Sequence, residues 1–178
     1  MENIFIETER LILRKMEDSD FKILASMLKN PRVMYAWEYV FEDIDILAWI
    51  KKNREYYWKY GLGFFLAVDK TLNEVVGQIA LMPDNIDGID YYEIGYMLRE
   101  EFFHQGYARE AVKAMIEYAF ANLDTESVIF EIRPENISSI KVAEFFNAKV
   151  TGEFVKNVQG KKMKHLIYTL KKEDFVLS

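Results

Sequence analysis

The chain contains no cysteine. Disulfide bonds, thiolate catalysis and cysteine-based zinc sites are therefore excluded. It has only two histidines, His104 and His165, too few for a histidine-rich metal cluster, and no metal is expected. Its basic residues are outnumbered, 23 Lys plus Arg against 29 Asp plus Glu, for a formal net charge of -6. A nucleic-acid partner would ordinarily leave a basic footprint, so none is expected. No run approaches the ~18 uninterrupted apolar residues of a membrane span. The first ten residues, MENIFIETER, carry acid where a signal peptide needs a basic patch and an apolar stretch. These absences predict a cytoplasmic protein without a membrane partner.

What is present is core material. Of 178 residues, 51% are hydrophobic and 15% aromatic, enough for one folded domain spanning residues 1–178. Short apolar runs framed by charge or turn residues predict strands at Glu9–Arg14, Phe64–Val68, Val75–Leu81, Tyr91–Leu98 and Val128–Arg133. Lys149–Val155 and Met163–Leu170 form a terminal pair, with a turn near Gly160. Helical periodicity marks Asp18–Lys29, Asp43–Lys59, Gly106–Leu123 and Ser138–Phe146. Pro31 ends the first helix, Gly61-Leu62-Gly63 breaks the second, and Pro83-Asp84-Asn85-Ile86-Asp87-Gly88 predicts a long turn. The order β-α-α-β-β-β-α-β-α-β-β predicts an α/β (α+β) domain. Its sheet would be mixed but mostly antiparallel, of about seven strands, with helices on both faces.

The most informative segment is Glu101-Phe102-Phe103-His104-Gln105-Gly106-Tyr107-Ala108-Arg109-Glu110-Ala111, between a strand and a helix start. The first N–H groups of a helix lack intrahelical partners and carry partial positive charge. Small residues at Gly106 and Ala108 let a phosphate approach that backbone, giving an anion cradle that needs few lysines. A plain turn is the alternative. A Gly-Lys-Ser/Thr phosphate loop is absent.

Other segments bear on that choice. Thr8-Glu9-Arg10-Leu11-Ile12-Leu13-Arg14, Asp18-Ser19-Asp20 and Asn30-Pro31-Arg32-Val33 open the chain. Glu93-Ile94-Gly95-Tyr96-Met97-Leu98, the Gly106-Tyr107-Ala108-Arg109-Glu110-Ala111 loop and Asn136-Ile137-Ser138-Ser139 follow. Together these resemble the GNAT acetyltransferase superfamily, in the branch of ribosomal-protein N-terminal (alanine) acetyltransferases. There are two departures. Phe103 stands where the superfamily pattern has a polar residue, and Phe146-Asn147-Ala148 replaces Leu-Gly-Phe. Asn147 can still supply the left-handed helix C-cap.

The resemblance implies acetyl-CoA as co-substrate, held where two parallel strands, Tyr91–Leu98 and Val128–Arg133, splay apart. It implies that the backbone of Met97 and Leu98 bonds the pantetheine arm. The pyrophosphate would lie on N–H groups around Gln105, Gly106, Tyr107, Ala108 and Arg109, with His104 beside it. Asn136 would contact the pantetheine region, a role compatible with capping the last helix. Glu93 is implied as the base that takes the amine's proton, against an ordinary polar strand position. Ser139 is implied as the donor to the leaving thiolate, because the last helix holds no tyrosine; a first-turn helix serine is the alternative. Trp37, within the aromatic run Met34–Phe41, would border the acceptor, unless that run is core or lid packing. The acceptor implied is an amine, either a peptide N-terminus or a small amine such as a polyamine or aminoglycoside. A CoA-binding module without catalysis is the competing function, and a homodimer is open.

Overall fold

The computed structural model describes residues 3–176. Residues 1, 2, 177 and 178, included in the single-domain expectation, lie outside the described residues. The strands are β1 (Ile4–Glu7), β2 (Leu11–Lys15), β3 (Gly63–Asp69) and β4 (Glu74–Ile86). They continue with β5 (Ile89–Leu98), β6 (Ser127–Ile132), β7 (Lys149–Val158) and β8 (Lys161–Lys171). The helices are α1 (Phe21–Leu28), α2 (Asp43–Tyr60), α3 (Tyr107–Asn122) and α4 (Ile137–Phe145). All eight strands join one sheet in the order β1-β2-β3-β4-β5-β6-β8-β7. Every neighbouring pair is antiparallel except β5 and β6.

The eighth strand corrects the expected seven. It is β1, a four-residue edge strand carrying Phe5, whose ring stacks on Phe65 at 4.1 Å. The long turn expected at Pro83–Gly88 shrinks to Asp87–Gly88, and β4 runs on through Ile86. Its partner β3 reaches no further than Leu81. Beyond that point only β5 flanks β4, so Pro83 removes no ladder hydrogen bond on the free edge.

Helices cover both faces. Trp49 of α2 packs on Phe64, centroids 4.8 Å apart, on the face that also carries Met82 and Glu93. On the other face, Leu66's neighbour Phe65 meets Phe5, which in turn packs on Tyr118 of α3. The fully buried core includes Leu11, Leu13, Leu24, Phe65, Val112, Met115, Ile116 and Phe130. Helix α4 ends as Asn147 permits. Its φ is 67°, the Ala148 N–H reaches the Ala143 carbonyl, and the Asn147 N–H reaches that of Glu144. That is a Schellman closure, with Asn147 in the place glycine usually takes. Ala148 is buried despite its small side chain.

Candidate active site

Strands β5 and β6 run parallel but share a single register pair, Glu93 with Ile129. Past it β5 and β6 share no further register pair among the described residues, which leaves the facing edge of β5 towards Leu98 able to bond an extended ligand. Met97 lines the cleft opened there, whereas Leu98 lies outside its lining.

The cradle loop lies beyond the end of β5. Gly106 is the N-cap of α3 with φ 83°, and His104 is also left-handed at φ 59°. Glu110 is the residue whose N–H bonds the Gly106 carbonyl, at 3.1 Å. The N–H groups preceding it in the first turn therefore project from the helix end. A Cβ on Gly106 would meet only Arg10 Nη2 at 3.4 Å, so its outer side is open to a ligand.

Behind the loop stands a buttress from the chain's start. The Glu110 carboxylate accepts from the Thr8 hydroxyl at 2.6 Å, the Arg10 N–H at 2.8 Å and Arg10 Nε at 2.6 Å. Arg10 also donates to the Gln105 carbonyl at 3.1 Å, and its guanidinium lies 4.4 Å from the Tyr107 ring. Tyr107 is buried and its hydroxyl donates to Asp69, so only its backbone can serve a ligand. Gln105 Nε2 is engaged by the Glu101 carbonyl, and the Arg109 guanidinium sits 4.1 Å from the Phe145 ring. None of His104, Gln105, Gly106, Tyr107, Ala108 or Arg109 lines the cavity around Glu93. They form a separate shelf.

That cavity, about 400 Å³, brings together Glu93, Met97, Asn136, Ser139 and Trp37. Trp37, Tyr39, Phe41, Trp49 and Phe64 build its apolar wall. Trp37 is half-buried among edge-on neighbours, with centroids 6.0 Å to Tyr39 and 6.5 Å to Trp49. The segment bearing it is tied across the cleft. Tyr35 donates to Asn136 Oδ1 at 2.7 Å, and Arg133 donates to the Ala36 carbonyl at 3.0 Å. Glu38, left-handed at φ 59°, pairs with both Arg133 and Lys161. Asn136 caps α4 by accepting from the Ser139 N–H at 3.2 Å.

Glu93 is 9% exposed, and oxygen atoms of Asp84, Glu93 and Glu131 lie within 4.8 Å of one another. Burial pushes the Glu93 carboxyl well above the ordinary carboxylate range; nearby Asp84 adds to this, while Lys156 and Lys52 oppose it. Glu131 moves the same way, again chiefly through burial and then through Glu93. Carboxylates this close cannot all ionise freely and titrate as a set. Lys156 forms an ion pair with Glu131 and supplies the positive charge that the cluster calls for.

Residues 10–148 match the family described as Acetyltransferase (GNAT) domain. The chain belongs to the GNAT acetyltransferase family. YkkB, an uncharacterized protein of Bacillus subtilis (strain 168), is 34% identical over 77% of this chain and 80% of its own. YnaD of the same organism, an uncharacterized N-acetyltransferase, is 29% identical over 85% of this chain and 86% of its own. Among solved structures, a GNAT-family acetyltransferase from Bacillus anthracis superposes with TM-score 0.78 at 28% identity, covering 96% of this chain and 99% of that one. RimL, a ribosomal L7/L12 alpha-N-protein acetyltransferase solved with coenzyme A, shares the fold with TM-score 0.76 at 21% identity, over 94% and 97%. The protein is an N-acetyltransferase of the GNAT family.

Several residues of this candidate site escape sequence reasoning. Asp84, Glu131, Lys156 and His165 stand on four different strands, and only sheet register gathers them. His165 had no assigned role, yet it lines the cavity. Its Nδ1–H donates to the Met163 carbonyl at 3.0 Å, and burial lowers its pKa, favouring the neutral ring. Tyr96 is the second surprise. Its hydroxyl donates to the Ser139 carbonyl at 2.7 Å, bridging β5 to the first turn of α4. The expected Ser139 hydroxyl donor therefore sits on a backbone fixed at both its N–H and its carbonyl.

Proposed function

We propose that the protein transfers an acetyl group from acetyl-CoA to a primary amine, with Glu93 accepting the amine's proton. The observation that carries this is a buried carboxylate at the fork of β5 and β6, facing an aromatic cavity. Three features suit acetyl-CoA: the free edge of β5, the open side of Gly106, and the outward N–H groups of the α3 terminus. Met97 and Leu98 would offer backbone to the pantetheine arm. The Gln105–Arg109 backbone, flanked by His104, would hold the pyrophosphate, and Asn136 would flank the pantetheine. The thioester supplies an activated carbonyl and a thiolate leaving group.

The remaining steps belong to this chain. An ammonium cannot attack, and a lysine amine has a pKa of ~10.4 against ~7.7–8.0 for an α-amino group. A carboxylate raised by burial is a stronger proton acceptor than an exposed one once ionised, as general-base catalysis near neutral pH requires. The Ser139 hydroxyl, at the start of α4, gives a proton to the departing sulfur and recovers one from solvent, while Glu93 releases the amine's proton to solvent. Trp37 and the aromatic wall orient the acceptor's apolar body.

The acceptor is a cationic amine slender enough to enter. A peptide N-terminus fits if its first residue alone penetrates. The segment Tyr35–Glu38, tied to Asn136, Arg133 and Lys161 beside the cavity, favours a small amine. No helix among the described residues is long and apolar enough to cross a membrane, in keeping with a cytoplasmic reaction. Incubation with acetyl-CoA and a panel of peptides, polyamines and aminoglycosides, following free thiol, tests the reading. Amine-dependent thiol release supports it, and thiol release by none of them, with CoA still bound, would leave a binding module.

A further inference from the structure

Lys156 reaches the active site through an irregularity in β7. Val150 pairs with Tyr168, but Gly152 pairs with Ile167, so Thr151 is an extra residue. Such a bulge shifts the register by one and moves every following side chain to the other face. Because of it, Phe154 and Lys156 stand opposite His165 and Met163, on the face where Ile167 stands opposite Glu131. An unbroken ladder would turn Val155 inward and Lys156 to solvent.

Once inside, the ammonium pairs with Glu131, whose side chain is 1% exposed, and lies 5.5 Å from the Phe154 ring. An apolar cluster of Ile86, Ile129 and Ile167, with Tyr91 and Phe154 against it, packs on the same face beside the acids. The Lys156 side chain is 39% exposed, but its partner is enclosed, so the ammonium acts on the buried carboxylates from the rim of the cavity.

We propose that Lys156 is a positioning residue that holds Glu131 as its ion-pair partner, so that Glu93 is left unprotonated to receive the amine's proton. The proposal rests on the assignment of Glu93 as base. The charged and titratable groups around Glu93 are Asp84 from β4, Tyr96 from β5, Glu131 from β6 with Arg133 just after it, Lys156 from β7, His165 from β8, Lys52 and Tyr56 from α2, and Tyr39 ahead of that helix. Lys52 is exposed, burial favours the neutral His165 ring, and Arg133 is engaged by the Ala36 carbonyl, Glu38 and Glu135, so Lys156 is the cation that acts most on Glu93. Removing it leaves Glu93 and Glu131, both raised by burial, beside the ionised Asp84 without a compensating charge, and Glu93 stays protonated to higher pH.

The test is the pH profile of kcat/KM for Lys156→Met, Lys156→Arg and the double variant Lys156→Met with Glu131→Gln. An opposite charge within about 4–6 Å shifts a carboxyl by roughly 1–3 pH units, and Lys156 acts on Glu93 as a neighbouring positive charge. The acidic limb of Lys156→Met should therefore rise by about one unit or more, costing about tenfold on that limb and converging on the parent at high pH. Lys156→Arg should keep the parental limb. The double variant, which removes one charge of each sign, should return towards it. An equal loss at every pH in Lys156→Met, or a limb displaced as far in Lys156→Arg, overturns the proposal. If Lys156→Met shows no cooperative melting transition, the double variant decides, and an upward-displaced limb there also overturns it. Glu93→Gln separates the two claims: parental turnover there sinks the base itself, whereas an unmoved Lys156→Met limb beside a crippled Glu93→Gln sinks only the role of Lys156.

Discussion

Gly106→Ala probes the cradle with a single methyl group. The added Cβ would approach only Arg10 Nη2 at 3.4 Å, the tip of a side chain that can yield. Steric exclusion from the protein side is thus small, and the cost lies in the backbone. At φ 83° an L-residue pays about 1–2 kcal/mol. At this chain length ~1 kcal/mol corresponds to a melting shift of about 2–4 °C, so a fall of roughly 2–8 °C is expected. If the loop relaxes instead, it turns the first-turn N–H groups away from the phosphate. Loss of one charge-assisted hydrogen bond is worth about 1.5–3 kcal/mol, or about tenfold or more in Kd. Gly61→Ala is the control. It caps α2 at φ 67° with nothing within 4 Å of an added Cβ, away from the cradle. Both variants should melt lower, but only Gly106→Ala should bind CoA at least about tenfold more weakly by calorimetry. Parental CoA affinity in Gly106→Ala, or an equal loss in Gly61→Ala, would refute the reasoning.

Ser139→Ala removes a hydroxyl while leaving the backbone bonds to Asn136 and Tyr96 in place. It should lower kcat within the ~10²–10⁴-fold range of general acid–base groups, with melting temperature and CoA Kd unchanged. For a cationic acceptor, KM should rise with ionic strength as the Debye length falls from ~10 Å at 0.1 M to ~3 Å at 1 M. A KM insensitive to salt would point to a neutral acceptor. On the free enzyme, kcat/KM should fall as pH drops through the Glu93 transition, because the base must be ionised. The raised carboxyl places that limb above the usual carboxylate range, and a limb within the ordinary range would contradict the burial of Glu93.

Local chemistry made much of the fold legible. Gly61 and Asn147 are left-handed where a helix must stop, and Asn136 caps the helix it precedes. Periodicity located α2 and α3 to within a residue or two because each buries a clear stripe. Strand β1 escaped notice because four residues flanked by acid carry little period-2 signal. Pro83 misled for a topological reason: its tolerance depends on where β3 ends, which no local pattern states. Of the candidate site, motifs single out Glu93, Met97, Asn136 and Ser139, which line one cavity, and the Gly106 loop, which stands apart from it. They do not single out Asp84, Glu131, Lys156 and His165, since their proximity depends on a sheet register that includes the bulge at Thr151.

Glu93→Gln is the most direct test of the central claim. It preserves shape and removes only the capacity to take a proton. With an amine identified by the panel, kcat should fall by ~10²–10⁴-fold, and the CoA Kd should stay at the parental value. Parental kcat in Glu93→Gln across the pH range would contradict the account.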